Sequence, residues 1–546
     1  MHGSGIVRVR VWFVLLLLLL PYSSEAQTEA PVKIRNVTIT NLGVFDPKHE
    51  EFRWWIFRFL NRTHVKTRPS FIRNELLLKE GDILLPDLVR ESERNLRRYR
   101  FLTDVSVKAV RVNDRESDLH VSTEDQWTTL PSFSWGKTRG ARTFDAGIAE
   151  ENFLGLGRRV GVLYEDGPER SGFSAMYGDP RFLNTRMRFN FRLSDFSDGH
   201  RLSFGLAQPF HTQESRWSYG AHAEEWTRLQ HFYYRGIDAA ALESIQKDTS
   251  FQLSHAWGAR YQRNRAGVLF GYFESLFPST VILDPEAAEQ PEIQDNLDPD
   301  ERRLFNIGLN IDRDRQRFSK FYYVDNFGRT EDLPYGTLSG LSIVRSNNGK
   351  GPDYVTGAVH GRYATRIEDR LYFASGATFS VRRQSGEWNN QITDLFARYY
   401  LQSGPKNLWL FHSRLQTLAA GLSATLTSDM DAPFQLSLGE DEGLRGYQFK
   451  DFTGLNRILL NVEYRIMTPW ENRLVGIGIV PFWDAGYVWN PDSHWGTSVG
   501  LGLRIGFKKY GRTRVIRIDY AFPLVNTQNK SGSLSISTGH VFNILP

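Results

Sequence analysis

The chain has 546 residues, a net charge of +5, 13% aromatic residues, 46 glycines and no cysteine. That length exceeds one ordinary domain, and the lack of cysteine excludes disulfide frameworks, thiolate metal sites and a lipid-modified cysteine anchor. A mean hydropathy of −0.41 disfavours a bundle of apolar membrane helices, and no concentrated basic domain supports nucleic-acid binding. The same mixture suits a membrane β-barrel, where apolar lipid-facing and polar lumen-facing residues alternate and average out.

Residues 1–26 read as a secretory signal. Arg8 and Arg10 form the charged region, Val11 to Leu20 the apolar core, and Ser24-Glu25-Ala26 a small-x-small cleavage site. The competing reading is an uncleaved anchor, for which the apolar core is short.

Residues 27–125 are expected to form a small α+β domain. Val32 to Thr40 alternates and is rich in β-branched residues, as a strand requires. Pro69 suits a first helical turn, Ile72 and Leu76 recur at helical spacing, and Gly81-Asp82 is expected to end that helix. Pro86 to about Tyr99 reads as a second helix, with Leu88, Val89, Leu96 and Tyr99 near one face. Phe101 to Val112 and Leu119 to Thr123 read as closing strands. Trp54, Trp55 and Phe57 lie in an insertion, as core residues or as a sticky contact for a client protein.

From about Gln126 to the end, alternating segments follow one another. Met187, Phe189, Phe191 and Leu193 oppose Arg188, Asn190, Arg192 and Ser194. Leu460, Val462, Tyr464 and Ile466 oppose Asn461, Glu463 and Arg465. Ile516, Ile518, Tyr520 and Phe522 oppose Arg517, Asp519 and Ala521. Charges at every second position cannot face lipid, so they line a hydrated lumen. A soluble β-sandwich permits the same pattern with its faces exchanged. Counted singly, the alternating segments number roughly twenty, although a long strand can be split by a bulge or a glycine. Residues 284–302 are acidic and contain proline, as in a surface loop. At the end, Leu534, Ile536, Thr538, His540 and Phe542 alternate against Ser533, Ser535, Ser537 and Gly539.

No catalytic set emerges. Gly496-Thr497-Ser498-Val499-Gly500 matches a serine-hydrolase pattern, but that motif needs a strand-to-helix turn. Here it opens an alternating strand. Gly500-Leu501-Gly502 lacks the third glycine of a dinucleotide site, and His49-Glu50-Glu51 lacks the second histidine of a zinc site.

The most informative stretch is Leu444-Arg445-Gly446-Tyr447, which follows the acidic run Gly439-Glu440-Asp441-Glu442-Gly443. An arginine folded into a barrel needs an anionic partner, because an unpaired buried guanidinium is costly. Asp484, in Phe482-Trp483-Asp484-Ala485-Gly486, interrupts an apolar strand and is the candidate partner. Such a pair can be bidentate and fixes geometry as well as charge. Gly446 lets the loop backbone approach the wall closely.

These motifs resemble those of the outer-membrane assembly and secretion family of the BamA/TamA type. Leu444 to Tyr447 is similar to the Val/Leu-Arg-Gly-Phe/Tyr tip of its inward surface loop. Phe482, Asp484 and Gly486 are similar to the strand facing that tip, and Gly147 to Gly157 resembles an early barrel strand. Thr67 to Val107 resembles a POTRA domain, of which the chain shows one.

The resemblance implies a transmembrane antiparallel β-barrel of about sixteen strands over residues 126–546, in the bacterial outer membrane, with one POTRA domain in the periplasm. It implies insertion or translocation of other proteins, and partners that are unfolded clients and outer-membrane lipid, with room for an accessory periplasmic or lipoprotein subunit. It implies a weak seam around Phe133 to Trp135 and Leu534 to Phe542, a wall opposite it braced by the Arg445 loop, and a C-terminal strand signal in Leu534, Ile536, Gly539 and Phe542. No cofactor, metal or enzymatic activity is expected. The alternative is a passive pore or surface attachment barrel on the same scaffold.

Overall fold

The computed structural model describes residues 31–46, 48–138, 141–325, 327–349, 353–408, 411–510, 515–525 and 531–543. The signal-like segment 1–26 lies outside them.

In the N-terminal unit, β1 (Lys33–Leu42) runs parallel to β3 (Glu116–Asp125), and β2 (Leu102–Arg111) pairs antiparallel on the other side of β3. Two helices, α2 (Pro69–Glu75) and α3 (Pro86–Arg97), accompany this sheet. Both begin on proline, where a missing N–H would have had no partner anyway. Ile34, Phe71, Ile72, Leu96, Leu102 and Leu119 form the core. The first of these helices ends earlier than its apolar spacing suggests. Leu76 is already extended, and Leu76 and Leu78 enter the core from a non-helical segment. Gly81, at φ +90°, makes the turn there and donates its N–H to the Ile34 carbonyl.

The insertion between β1 and α2 contains a further helix, α1 (Trp55–Thr63). Val44, Phe45 and Phe52 give it a core of its own, joined by Phe57. Trp54 and Trp55 are not part of that core, being 70% and 67% exposed.

The rest of the chain is one antiparallel sheet whose last strand, Ser533–Thr538, pairs with its first, Thr129–Thr138. The ring holds twenty-one strands among the described residues. One is the three-residue strand Thr280–Ile282, and the other twenty alternate in direction around the wall. The expected count of about sixteen is therefore too low. Bulges do not fuse neighbouring segments. Two-residue turns divide them instead, as at Arg235-Gly236 and Ser385-Gly386, where both residues of each pair have positive φ. Turns of that hand match the twist of the flanking strands.

The two faces of the wall settle its solvent. On the strand Arg302–Tyr322, Phe305, Ile307, Leu309 and Ile311 all point outward and are more than half exposed. Glu463, Arg465, Asp484, Arg504 and Asp519 point inward and are fully buried. A soluble sandwich requires the reverse. The loop 277–301 carries two short helices, Pro285–Ala288 and Pro291–Gln294.

The N-terminal unit covers the barrel end from which the first wall strand leaves. Arg68 N–H donates to the Gly155 carbonyl, Arg181 pairs with Glu75 at 3.0 Å, and Gln213 N–H donates to Glu91 at 2.8 Å. Arg97 forms a bidentate pair with Asp332, both bonds 2.8 Å. Trp127 N–H donates to the Lys509 carbonyl at 2.7 Å. These partners lie in or beside turns spread around the ring.

Candidate functional site

The loop between the wall strands Leu415–Ser428 and Asn456–Glu471 folds back into the lumen. Its stem is a short ladder, Leu436–Leu438 against Phe452–Gly454. At its tip Leu444 N–H donates to the Gly439 carbonyl. Leu444 and Tyr447 pack with Leu438, Phe452, Leu459 and Val488.

Arg445, 1% exposed, is the focus. Its Nε and Nη2 donate to the two Asp484 oxygens at 2.7 and 2.8 Å. Its Nη1 donates to Glu463 at 3.1 Å and to Asp519 at 3.0 Å. The guanidinium carbon lies 3.4 Å from the centre of the Phe482 ring. Two further buried arginines join the cluster, and the less buried Arg517 lies at its edge, 3.6 Å from Asp519. Arg465 donates to Glu463 at 2.9 Å, and Arg504 donates to Glu463 at 3.2 Å and to Asp519. The Asn461 amide bridges Asp484 at 2.7 Å and the Gly443 carbonyl at 2.8 Å. Three buried guanidinium groups thus face three buried carboxylates, an arrangement in which desolvation is offset by pairing.

The wall supplies the room. Gly446 has φ +90°, and a Cβ there would meet Ala521 and Pro523 at 3.3 Å. On the strand His494–Phe507, a Cβ at Gly496 would lie 2.7 Å from the Tyr447 ring, and one at Gly500 2.2 Å from the Phe482 ring. A Cβ at Gly486 would lie 2.7 Å from Leu438. The Tyr447 hydroxyl donates to the Val525 and Thr497 carbonyls at 2.6 and 3.1 Å, and accepts from Thr497 N–H at 2.9 Å. Ser498 of the hydrolase-like pattern sits in mid-strand, fully buried, not on a strand-to-helix turn.

Arg445 therefore meets Asp484 and Phe482, as its chemistry suggested, whereas Gly486 makes room for Leu438 of the loop stem and Gly446 lies against Ala521 and Pro523. The contributions of Glu463, Arg465, Arg504 and Asp519 as direct partners were not anticipated. For Glu463, Arg465 and Asp519 the signal was present in the alternation, which put them on the lumen face. The clamped strands lie directly before the last strand rather than opposite the seam. Glu440 in the loop also accepts a hydrogen bond from Ser533 of the last strand, at 3.1 Å.

Among the described residues the seam itself is short. Ser535 pairs with Gly136 and Ile536 with Trp135, whereas the last strand makes six such pairs with the strand before it. Leu534 points outward. The terminal segment does not continue as a strand to Phe542. It stops at Thr538, and Gly539, at φ +88°, turns the chain inward. Phe542 then packs in the lumen with Phe321, Tyr372 and Tyr400 and near Arg465. His540 is drawn beside Glu463 at 4.0 Å.

Residues 372–542 match the Omp85 superfamily domain. A putative outer membrane protein assembly factor of Treponema pallidum (strain Nichols) is 27% identical over 230 residues, 39% of this chain and 26% of that protein. The chain thus spans about a quarter of the length of that relative. Among solved structures, BamA from Haemophilus ducreyi lacking POTRA domains 1–3 has 14% identity and a TM-score of 0.34, over 93% of this chain and 83% of that one. CdiB from Escherichia coli has 11% identity and a TM-score of 0.44, over 93% and 77%. The segment that resembles the Omp85 superfamily domain carries the Arg445 tip and all its wall partners.

Proposed function

We propose that this protein is a bacterial outer-membrane barrel that inserts other proteins into that membrane or passes them across it, and that residues 27–125 are its periplasmic POTRA domain. The observation that carries this reading is a seam of two residue pairs among the described residues, beside a wall clamped through Arg445. A strand entering lipid must have its backbone polar groups paired. A seam held by few pairs can open and offer such pairing, as any sheet edge does. The clamp holds the adjoining strands while the seam opens. The edge strand β2, exposed from Lys108 to Arg111, can receive an extended client by strand addition. The relative's description as an assembly factor agrees with this role. A passive pore fits less well, because the N-terminal unit covers one mouth of the barrel.

The test uses the lack of native cysteine. Facing residues on paired strands lie close enough for a disulfide, so Trp135→Cys with Ile536→Cys locks the seam in an oxidising periplasm. Outer-membrane and secreted proteomes are compared in a deletion strain complemented with wild type, each single variant or the pair. Loss of particular proteins in the deletion and in the locked pair, with rescue by wild type and both singles, is expected. Unchanged proteomes would sink the proposal.

A further inference from the structure

Helix α1 faces outward with the wrong chemistry for water. Its inner face is Phe57, Leu60 and Asn61, with the Asn61 side chain accepting a hydrogen bond from Phe45 N–H. Its outer face carries Trp55 and Phe59, flanked by Trp54 and Ile56, all exposed. Arg58 and Arg62 are exposed between these rings. No acidic residue occurs between Trp54 and Lys66. A folded unit gains nothing by leaving two indoles and a phenyl ring in water.

The helix sits at one end of the wall. Leu474, in the turn after the strand Asn456–Glu471, packs into the insertion's core, and Arg473 of that turn hydrogen-bonds His49 at 3.0 Å. Three residues before Arg473, Trp470 points outward, 57% exposed, with its ring 5.4 Å from that of Phe411. The exposed aromatics of α1 and the Trp470–Phe411 pair thus lie at the same end of the lipid-facing wall. Aromatic rings gather where a barrel wall meets the headgroups. A helix with aromatic rings and arginines on one face lies in that same layer, its cations reaching the phosphates.

We propose that α1 is an interfacial anchor. Its Trp54, Trp55 and Phe59 rings lie in the headgroup layer of the adjoining leaflet, Arg58 and Arg62 bind anionic lipid phosphates, and the N-terminal unit is thereby held to the bilayer surface as well as to the barrel. The proposal rests on the barrel spanning a bilayer, and not on what the barrel transports.

The full chain, free of native cysteine, is reconstituted in vesicles of phosphatidylcholine alone or mixed with phosphatidylglycerol. A polarity-sensitive fluorophore is placed on Phe59→Cys, on Leu309→Cys of the wall, or on Val110→Cys of β2. The Phe59 probe is expected to be quenched by spin-labelled lipid and shielded from iodide, like the Leu309 probe and unlike the Val110 probe. Near an anionic surface each arginine contributes about fivefold to binding. Arg58→Gln with Arg62→Gln should therefore lower the lipid-contacting to water-contacting ratio by up to about 25-fold in the anionic vesicles, and much less in phosphatidylcholine alone. A Phe59 probe as open to iodide as the Val110 probe, while the Leu309 probe stays in lipid, overturns the anchor and leaves the barrel intact. Shielding that begins only when an unfolded outer-membrane protein is added also overturns it, in favour of a client contact. A Leu309 probe open to iodide refutes the barrel's placement itself.

Discussion

Replacing Arg445 with alanine leaves three buried carboxylates facing two buried guanidinium groups. Arg465 and Arg504 continue to hold Glu463 and Asp519. Neither reaches Asp484, which keeps only the Asn461 amide. Removing one partner of a buried ion pair costs about 3–5 kcal/mol, chiefly because the other charge is stranded. Adding Asp484→Asn restores the balance at two charges of each sign. The double variant should therefore be less destabilised than the two single losses summed, with a coupling of about 1–3 kcal/mol. The assay is a urea titration of the folded barrel, read by the faster gel migration of unheated protein. Trypsin cleavage at Lys450 reports release of the loop. An Arg445→Ala barrel within about 0.5 kcal/mol of wild type, with that site still protected, would refute the clamp. Additive single losses would refute the pairing.

Gly500→Val should cost about 1–3 kcal/mol by overpacking, since its Cβ would sit 2.2 Å from Phe482 and 2.4 Å from the Tyr520 carbonyl. The same titration measures it, and lipid-facing Leu501→Ile on the same strand is the control. The docking of α3 should weaken in acid. Burial pushes the Glu93 carboxyl up, but the bond from Lys320 at 2.6 Å, the Val107 N–H and Arg97 outweigh it and hold the group below its ordinary value. A depressed folded pKa stabilises the docked state above the unfolded value, about 4.3, and that contribution is lost as pH falls through the folded pKa. A cross-linking yield between α3 and the end of the strand Arg302–Tyr322 should fall over that window in wild type. In Glu93→Gln it should be lower at neutral pH and change less.

Much of the site was legible because its chemistry is local to short motifs. An arginine after a glycine-rich acidic run, and an aspartate breaking an apolar strand, each needed a partner, and each was the other's best candidate. The glycines at 496 and 500 looked like fragments of enzyme motifs. Their role is spatial, since the Tyr447 and Phe482 rings occupy the volume that side chains would take. Nothing in one strand's sequence reveals which neighbour will fill that space.

The alternation of apolar and charged residues determined by itself that the chain forms strands with one apolar and one polar face. It also gave roughly the right number of segments, because a period of two is a property of the extended backbone alone. The reading of about sixteen strands came from resemblance, and the two-residue turns overruled it. Only the tertiary structure decided the rest. It made Arg445 the centre of a cluster drawn from residues 445, 463, 484 and 519, because closing the ring brings distant lumen faces together. It turned the tail inward at Gly539, so that Phe542 lies in the lumen and not at the end of a strand. It left Trp54 and Trp55 outside the core, because Phe45 and Phe52 already fill it with Phe57. A sequence specifies which residues avoid water. Which surface receives them depends on what the folded chain places beside them.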